Sequence, residues 1–166
     1  MATTETAYDF ISLPDRVAGA EEDNGFVRLR EEMDVFAFGV GATFQRKAGE
    51  ELIRAHDEVG PGADEHEELY VVVQGSAKFT VGEETFDAPQ GSTVFVRDPA
   101  LSRSAVATED DTIVLAVGGR RGEAYRLSPV MSAKGFFRAY QAGDYAGALA
   151  ATNRGLEAYP GNAFLL

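Results

Sequence analysis

Between Glu67 and Gly118 the apolar positions come in short β-branched and aromatic runs, cut at regular intervals by Gly, Pro and Asp. That rhythm predicts an all-β sandwich or barrel. Strands are expected over residues 69–74, 77–81, 85–88, 93–96, 104–107 and 112–117. Gly75-Ser76 and Gly82-Glu83-Glu84 serve as turns, and Pro89-Gln90-Gly91 and Arg97-Asp98-Pro99 as breaks. The turn at Gly75-Ser76 predicts that residues 69–74 and 77–81 pair as a hairpin. Connections this short leave no room for parallel crossovers, so the sheet is expected to be antiparallel. Upstream, Tyr8, Phe10, Ile11 and Leu13 before Pro14 suggest a short leading strand, followed by a polar turn. Residues 35–44 (VFAFGVGATF) read as a strand with Phe36 and Phe38 on one face and Gly39 and Gly41 on the other. The glycines imply a bend there or a close approach to the backbone. Residues 45–65 are polar, acidic and glycine-rich, and are expected to be loop.

After Gly122 the period changes. Phe136, Phe137 and Tyr140 fit one helix face, and Tyr145, Leu149, Thr152, Leu156 and Tyr159 recur at spacings of four and three. That is an apolar helical stripe. Gly143-Asp144 separates two expected antiparallel helices, and Pro160-Gly161 ends the second. Burial is expected for Phe136, Phe137, Tyr140, Leu149 and Leu156, and in the strands for Tyr70, Val72, Phe79 and Phe95. The division follows as 1–122 for the barrel with its N-terminal extension and 123–166 for the helical pair.

Composition narrows the function classes. The 166 residues carry a formal net charge of −12. Nucleic acid and anionic membrane surfaces, which call for basic patches, are therefore disfavoured as partners. The absence of Cys removes disulfides, thiolate metal sites and cysteine nucleophiles. No apolar run approaches the ~20 residues that span a bilayer. The N-terminus lacks the basic start and apolar core of a secretory signal, so a cytoplasmic location is expected.

Glu68 and Gly75, with six residues between them within HEELYVVVQG, and Gly91 with the strand and loop that follow it, resemble the two motifs of the cupin superfamily. The resemblance covers roughly residues 35–118. It implies a mainly β protein, an antiparallel double-sheet jelly-roll barrel, here with a C-terminal α-helical hairpin, and often a homodimer. Metal-binding members place two His before the Glu and a third after the second motif. Those positions fall here on Gly62, Asp64 and Ser102, or Arg103 with a one-residue shift, so the usual three-His, one-Glu set is missing. Residues 141–162 resemble the second half of a tetratricopeptide repeat through Gly143, Asp144, Tyr145, Ala148, Leu149, Leu156 and Pro160. That similarity implies a protein partner for the helices. Ala163-Phe164-Leu165-Leu166 would open a further repeat, so either the parent protein continues or these residues dock.

The two histidines, His56 and His66, both precede the strand that starts near Leu69. In an extended segment residues two apart share a face. Asp64, His66 and Glu68 would then line one face, continued by Tyr70 and Val72, and the cupin resemblance makes that face the barrel interior. A site with one or two His and a carboxylate suits Fe(II), Mn(II) or Zn(II). The metal set is therefore His56, His66 and Glu68, and the ligand-pocket set is Asp64, Glu68, Tyr70, Phe95, Ser102 and Arg103. Glu68 is expected to pair with a cation or with Arg103, because a buried carboxylate needs a partner. Two functions remain open: a module that binds a small-molecule ligand or a protein, with a degenerate metal site, and a metal-dependent enzyme of isomerase, dioxygenase or lyase type.

Overall fold

The computed structural model describes residues 8–20, 25–60, 63, 65–125, 132–133, 135–162 and 165. Nine strands form among them: β1 (Phe26–Val27), β2 (Gly39–Gln45), β3 (Glu51–His56), β4 (Glu67–Gln74), β5 (Ser76–Val81), β6 (Glu84–Pro89), β7 (Thr93–Val96), β8 (Arg103–Ala107) and β9 (Thr112–Gly119). They build a five-stranded sheet in the order β1-β2-β9-β4-β7 and a four-stranded sheet in the order β3-β8-β5-β6. Every strand pairing is antiparallel.

The inner faces of the two sheets share one core, made largely by alternation, with the adjacent Leu52 and Ile53 of β3 as the exception. Tyr70 and Val72 of β4, Val94 and Val96 of β7, and Val114 of β9 meet Ala77 and Phe79 of β5, Ala88 of β6, and Ala105 and Ala107 of β8. Phe79 is fully buried and leans on Tyr70, with ring centroids 5.7 Å apart. Each such large apolar side chain contributes about 1.5–3 kcal/mol on burial. A second core lies on the opposite face of β2 and β9, where Ala42, Phe44 and Ile113 pack with Val17, Val27 and Leu29. The neighbours Ile113 and Val114 thus belong to different cores, as the two-residue period of a strand requires.

Four expectations are corrected here. Residues 69–74 and 77–81 do not pair: β4 bonds to β7 and β9, whereas β5 bonds to β6 and β8. Gly75 is the corner at which the chain leaves one sheet for the other. It holds φ +71°, and a Cβ there would lie 2.9 Å from Thr112 Cα. Gly75→Ala should lower stability by about 1–2 kcal/mol from the left-handed backbone alone; an unchanged urea midpoint would refute this reading of the corner.

The supposed loop at 45–65 contains β3, with Leu52 and Ile53 buried. Its ladder to β8 is broken by two register shifts, which hides the two-residue period. The leading strand is instead a helix, α1 (Leu13–Ala18), with Ser12 as N-cap and Pro14 in its first turn, where a missing N–H costs nothing. Phe95 is 48% exposed, because β7 turns Val94 and Val96 inward. Phe36 and Phe38 precede β2 and are also exposed. The close approach expected at the glycines is present, for the Phe26 ring lies over Gly41 where a Cβ would collide with it. A one-turn helix, α2 (Leu29–Glu32), completes this part.

The chain divides into two compact units, Met1–Glu123 and Ala124–Leu166. In the second, α3 (Phe136–Gln141) and α4 (Tyr145–Ala158) form a helical hairpin turned at Gly143, φ +73°. Asp144 caps α4 by accepting the Gly147 N–H at 2.9 Å. The buried line of α4 is Ala148, Ala151 and Gly155, not the larger apolar stripe. Phe137, Tyr140, Tyr145 and Leu149 are exposed, and Phe136 and Leu156 are half-buried. Small residues win the inner face because they allow close approach: Gly155 sits against Leu165 and Ala133.

Candidate functional site

Glu68 opens β4, where Glu68, Tyr70 and Val72 point inward in succession. It stands opposite Gly118 of β9 and Val96 of β7. On the other sheet, His56 closes β3 and is paired with Arg103, which opens β8. Arg103, Ala105 and Ala107 are the inward positions of β8. Strand ends from both sheets therefore bring His56, Arg103 and Glu68 together.

Three donors converge on one oxygen. Glu68 Oε2 accepts a hydrogen bond from the Tyr70 hydroxyl, and it lies 3.6 Å from Arg103 Nε and 3.8 Å from His56 Nε2. Glu58 Oε1 is 3.6 Å from the same His56 Nε2. The ring is oriented by its other nitrogen, since Nδ1 is 2.7 Å from the Arg54 carbonyl oxygen. A carbonyl only accepts, so Nδ1 carries a proton, and Nε2 is the nitrogen turned toward the two carboxylates.

The titration behaviour follows. The hydrogen bond to Glu68 raises the His56 pKa above its ordinary value, helped by Glu58 and opposed by burial. For Glu68, burial alone would raise the pKa, but hydrogen bonds from His56 and Tyr70 and the Arg103 charge outweigh it, and the net shift is downward. Burial first, then the Glu68 charge, pushes the Tyr70 hydroxyl far up, so it remains a donor. A raised folded-state pKa stabilises below the unfolded value and is lost as pH rises through the folded value. Stability should therefore fall as pH climbs above about 6.5, and His56→Gln should flatten that fall. A melting curve with the same pH slope in both proteins would refute the assignment. Glu68 acts in the opposite sense: its contribution is present above about 4.3 and disappears as pH falls through its lowered folded value.

Arg103 is the unusual member. Its side chain is completely buried. Nη1 donates to the Pro99 carbonyl at 3.4 Å, whereas Nε and Nη2 have no hydrogen-bond partner among the described residues. These two N–H groups form the side-on edge with which a guanidinium grips a planar pair of oxygens.

Of the residues singled out from sequence, the structure gathers His56, Glu68, Tyr70 and Arg103. His66 lies beside Gly118 and is absent from the His56, Glu58 and Glu68 group. Ser102 is exposed in the loop before β8, and Phe95 faces outward beneath the Arg97 guanidinium, 5.3 Å from its ring centroid. Asp64 lies outside the described residues. Glu58 was missed, although it stands two residues beyond His56, the spacing used for Asp64, His66 and Glu68.

Metal-ligating atoms of His56, Glu58 and Glu68 all lie within 4.8 Å of one another. One imidazole and two carboxylates are suitable donors for a divalent ion. The Arg103 charge is not a suitable neighbour: its Nε sits 3.6 Å from Glu68 Oε2, in a buried position where repulsion is poorly screened. Taken with Arg103, these residues do not fit a resident metal.

No protein-family model matches the chain, and no curated protein matches its sequence. Solved structures do match. A cupin protein from Bacteroides fragilis aligns with a TM-score of 0.53 at 19% identity, over 74% of this chain and 93% of its own. The fold is the cupin barrel. KdgF from Halomonas sp. aligns at 0.45 and 16% identity, over 64% of this chain and 84% of its own. A predicted oxalate decarboxylase from Thermotoga maritima aligns at 0.43 and 21% identity, over 54% and 71%. The fold assignment rests on the first, and at these identities the likeness extends to fold alone. No helix among the described residues is long and apolar enough to cross a membrane.

Proposed function

We propose that this cupin barrel is a metal-independent binding module that takes a small polar ligand at the Glu68 cluster. The observation that supports it best is the buried Arg103 guanidinium, two of whose N–H groups make no hydrogen bond among the described residues. Buried N–H groups that make no hydrogen bond are costly even beside an ion-pair partner, and their presence supports an acceptor that completes them. Glu68, His56 and Glu58 keep some solvent access, at 15%, 37% and 17% of their side-chain surface. A ligand therefore enters from the His56 side, with its oxygen atoms toward Arg103 and its hydroxyl or amino groups toward the carboxylates.

The second reading is a metal-dependent cupin enzyme, an isomerase, dioxygenase or lyase, and the grouping of His56, Glu58 and Glu68 favours it. Elemental analysis of the purified protein, joined to native mass spectrometry for a co-purifying small molecule, separates the two. Substoichiometric metal with a bound organic molecule supports the module, whereas one equivalent of Fe, Mn or Zn retained through dialysis rejects it.

The helical unit adds a protein partner to this reading. Phe137, Tyr140, Tyr145 and Leu149 form an exposed aromatic and apolar set in a short helical hairpin, in keeping with the tetratricopeptide-like pattern of residues 141–162. A homodimer through the barrel is the expected assembly, in a cytoplasmic setting. Light scattering should return twice the chain mass of 17.8 kDa; a monomer at micromolar concentration removes the dimer from the proposal.

A further inference from the structure

We infer that Arg103 is a built-in cation: its guanidinium takes the electrostatic place of a divalent metal, and its removal uncovers a divalent-cation site at His56, Glu58 and Glu68. The inference deepens the metal-independent reading above and rests on it.

The three potential ligands already stand close together. Their donor atoms lie within 4.8 Å of one another. His56 Nε2 faces the carboxylates because Nδ1 is tied to the Arg54 carbonyl. That outer hydrogen bond is the device by which metal-bound imidazoles are usually oriented. Two carboxylates and one imidazole turned toward one point need positive charge between them. The chain supplies that charge itself, from Arg103 Nε at 3.6 Å from Glu68 Oε2.

The Arg103 side chain has no exposed surface, so water does not screen it. Arginine also cannot shed its proton in a protein, so the charge cannot be titrated away. A divalent ion bound to Glu68 would stand a few ångströms from that fixed charge and meet a repulsion that the interior screens poorly. Nε lies 3.6 Å from Glu68 Oε2, beyond hydrogen-bond reach, and the Tyr70 hydroxyl donates to that same oxygen. Arg103 thus neutralises the site from a distance, as an ion would, without closing it off as a short salt bridge would.

The test is calorimetric titration of the metal-free full chain with ZnCl2 and with MnCl2 at neutral pH. Four proteins are compared: the unaltered chain, Arg103→Gln, Arg103→Lys, and Arg103→Gln combined with His56→Ala. Circular dichroism of each confirms the barrel. The unaltered chain and Arg103→Lys, which keeps the charge, should show only weak binding. Arg103→Gln should bind at least about tenfold more tightly, the change that lifting a repulsion of about 1.4 kcal/mol produces. The His56→Ala combination should erase that gain. Equal affinity in the unaltered chain and Arg103→Gln overturns the inference while leaving the metal-independent reading intact. Tight binding of one equivalent by the unaltered chain overturns both, and needs no variant to fold.

Discussion

Phe79→Ala should lower the unfolding free energy by about 3–5 kcal/mol, the range for truncating a fully buried aromatic side chain. Phe79 has no exposed surface and sits where both sheets meet. It touches the ring of Tyr70 across the core and stacks on Phe86 of the adjoining strand, at 6.2 Å. Backbone ladders fix both flanking strands, so the barrel cannot collapse far into the void, and the cavity term stays large. Tyr70 is the side chain whose hydroxyl holds Glu68, so the loss should also loosen the cluster. Urea denaturation measures the first effect and the pH dependence of melting the second. A loss below about 1 kcal/mol, the scale of an ordinary surface change, would mean that the core is not arranged around Phe79.

Glu68→Leu should cost a comparable amount, about 3–5 kcal/mol, because it strands a buried charge. In the intact protein Arg103, His56 and Tyr70 all direct positive charge or a hydroxyl proton at Glu68 Oε2. With leucine there, the Arg103 guanidinium keeps its burial and loses its counterion. The double substitution Glu68→Leu with Arg103→Leu should recover most of the loss, since replacing a buried pair by apolar residues is often neutral or favourable. A thermodynamic cycle of the two variants therefore shows a coupling of more than about 1 kcal/mol between residues in contact. Simple additivity would place Glu68 and Arg103 outside one another's influence.

Much of the barrel was legible because its strands alternate cleanly. From Leu69 to Val117 the expected strands match the observed ones to within a residue or two. What was lost depended on three-dimensional partners. Strand β3 escaped because its two buried residues, Leu52 and Ile53, are adjacent rather than alternate. The sheet change at Gly75 reads, in one dimension, like any glycine turn. Phe95 looked like a core aromatic, but it lies between Val94 and Val96, and β7 could turn only one parity inward. In the helices size is a poor guide: the large stripe suggests an inner face, which in the structure belongs to Ala148, Ala151 and Gly155.

At the site, Glu68, Tyr70, Arg103 and His56 were visible in sequence through the motif spacing and the scarcity of histidine. Glu58 was not, because its segment had been read as loop. His66 was given a role by strand parity, yet it precedes β4 and that parity does not extend to it.

The position of β9 has a bearing on how the barrel is made. This strand is the centre of the five-stranded sheet, bonded along Gly39–Gln45 of β2 on one side and along β4 on the other, yet it is the ninth of nine described strands to leave the ribosome. Until Thr112–Gly119 has been synthesised, β2 and β4 each present an unpaired edge, and unpaired edges invite association between chains. The sequence distance from β2 to β9, set by Phe44 pairing with Ile113, makes this closure a slow, long-range event. Ribosome-bound chains halted before Thr112 should therefore be the forms most in need of chaperones, and once β9 inserts, the two halves of the sheet lock in a single step.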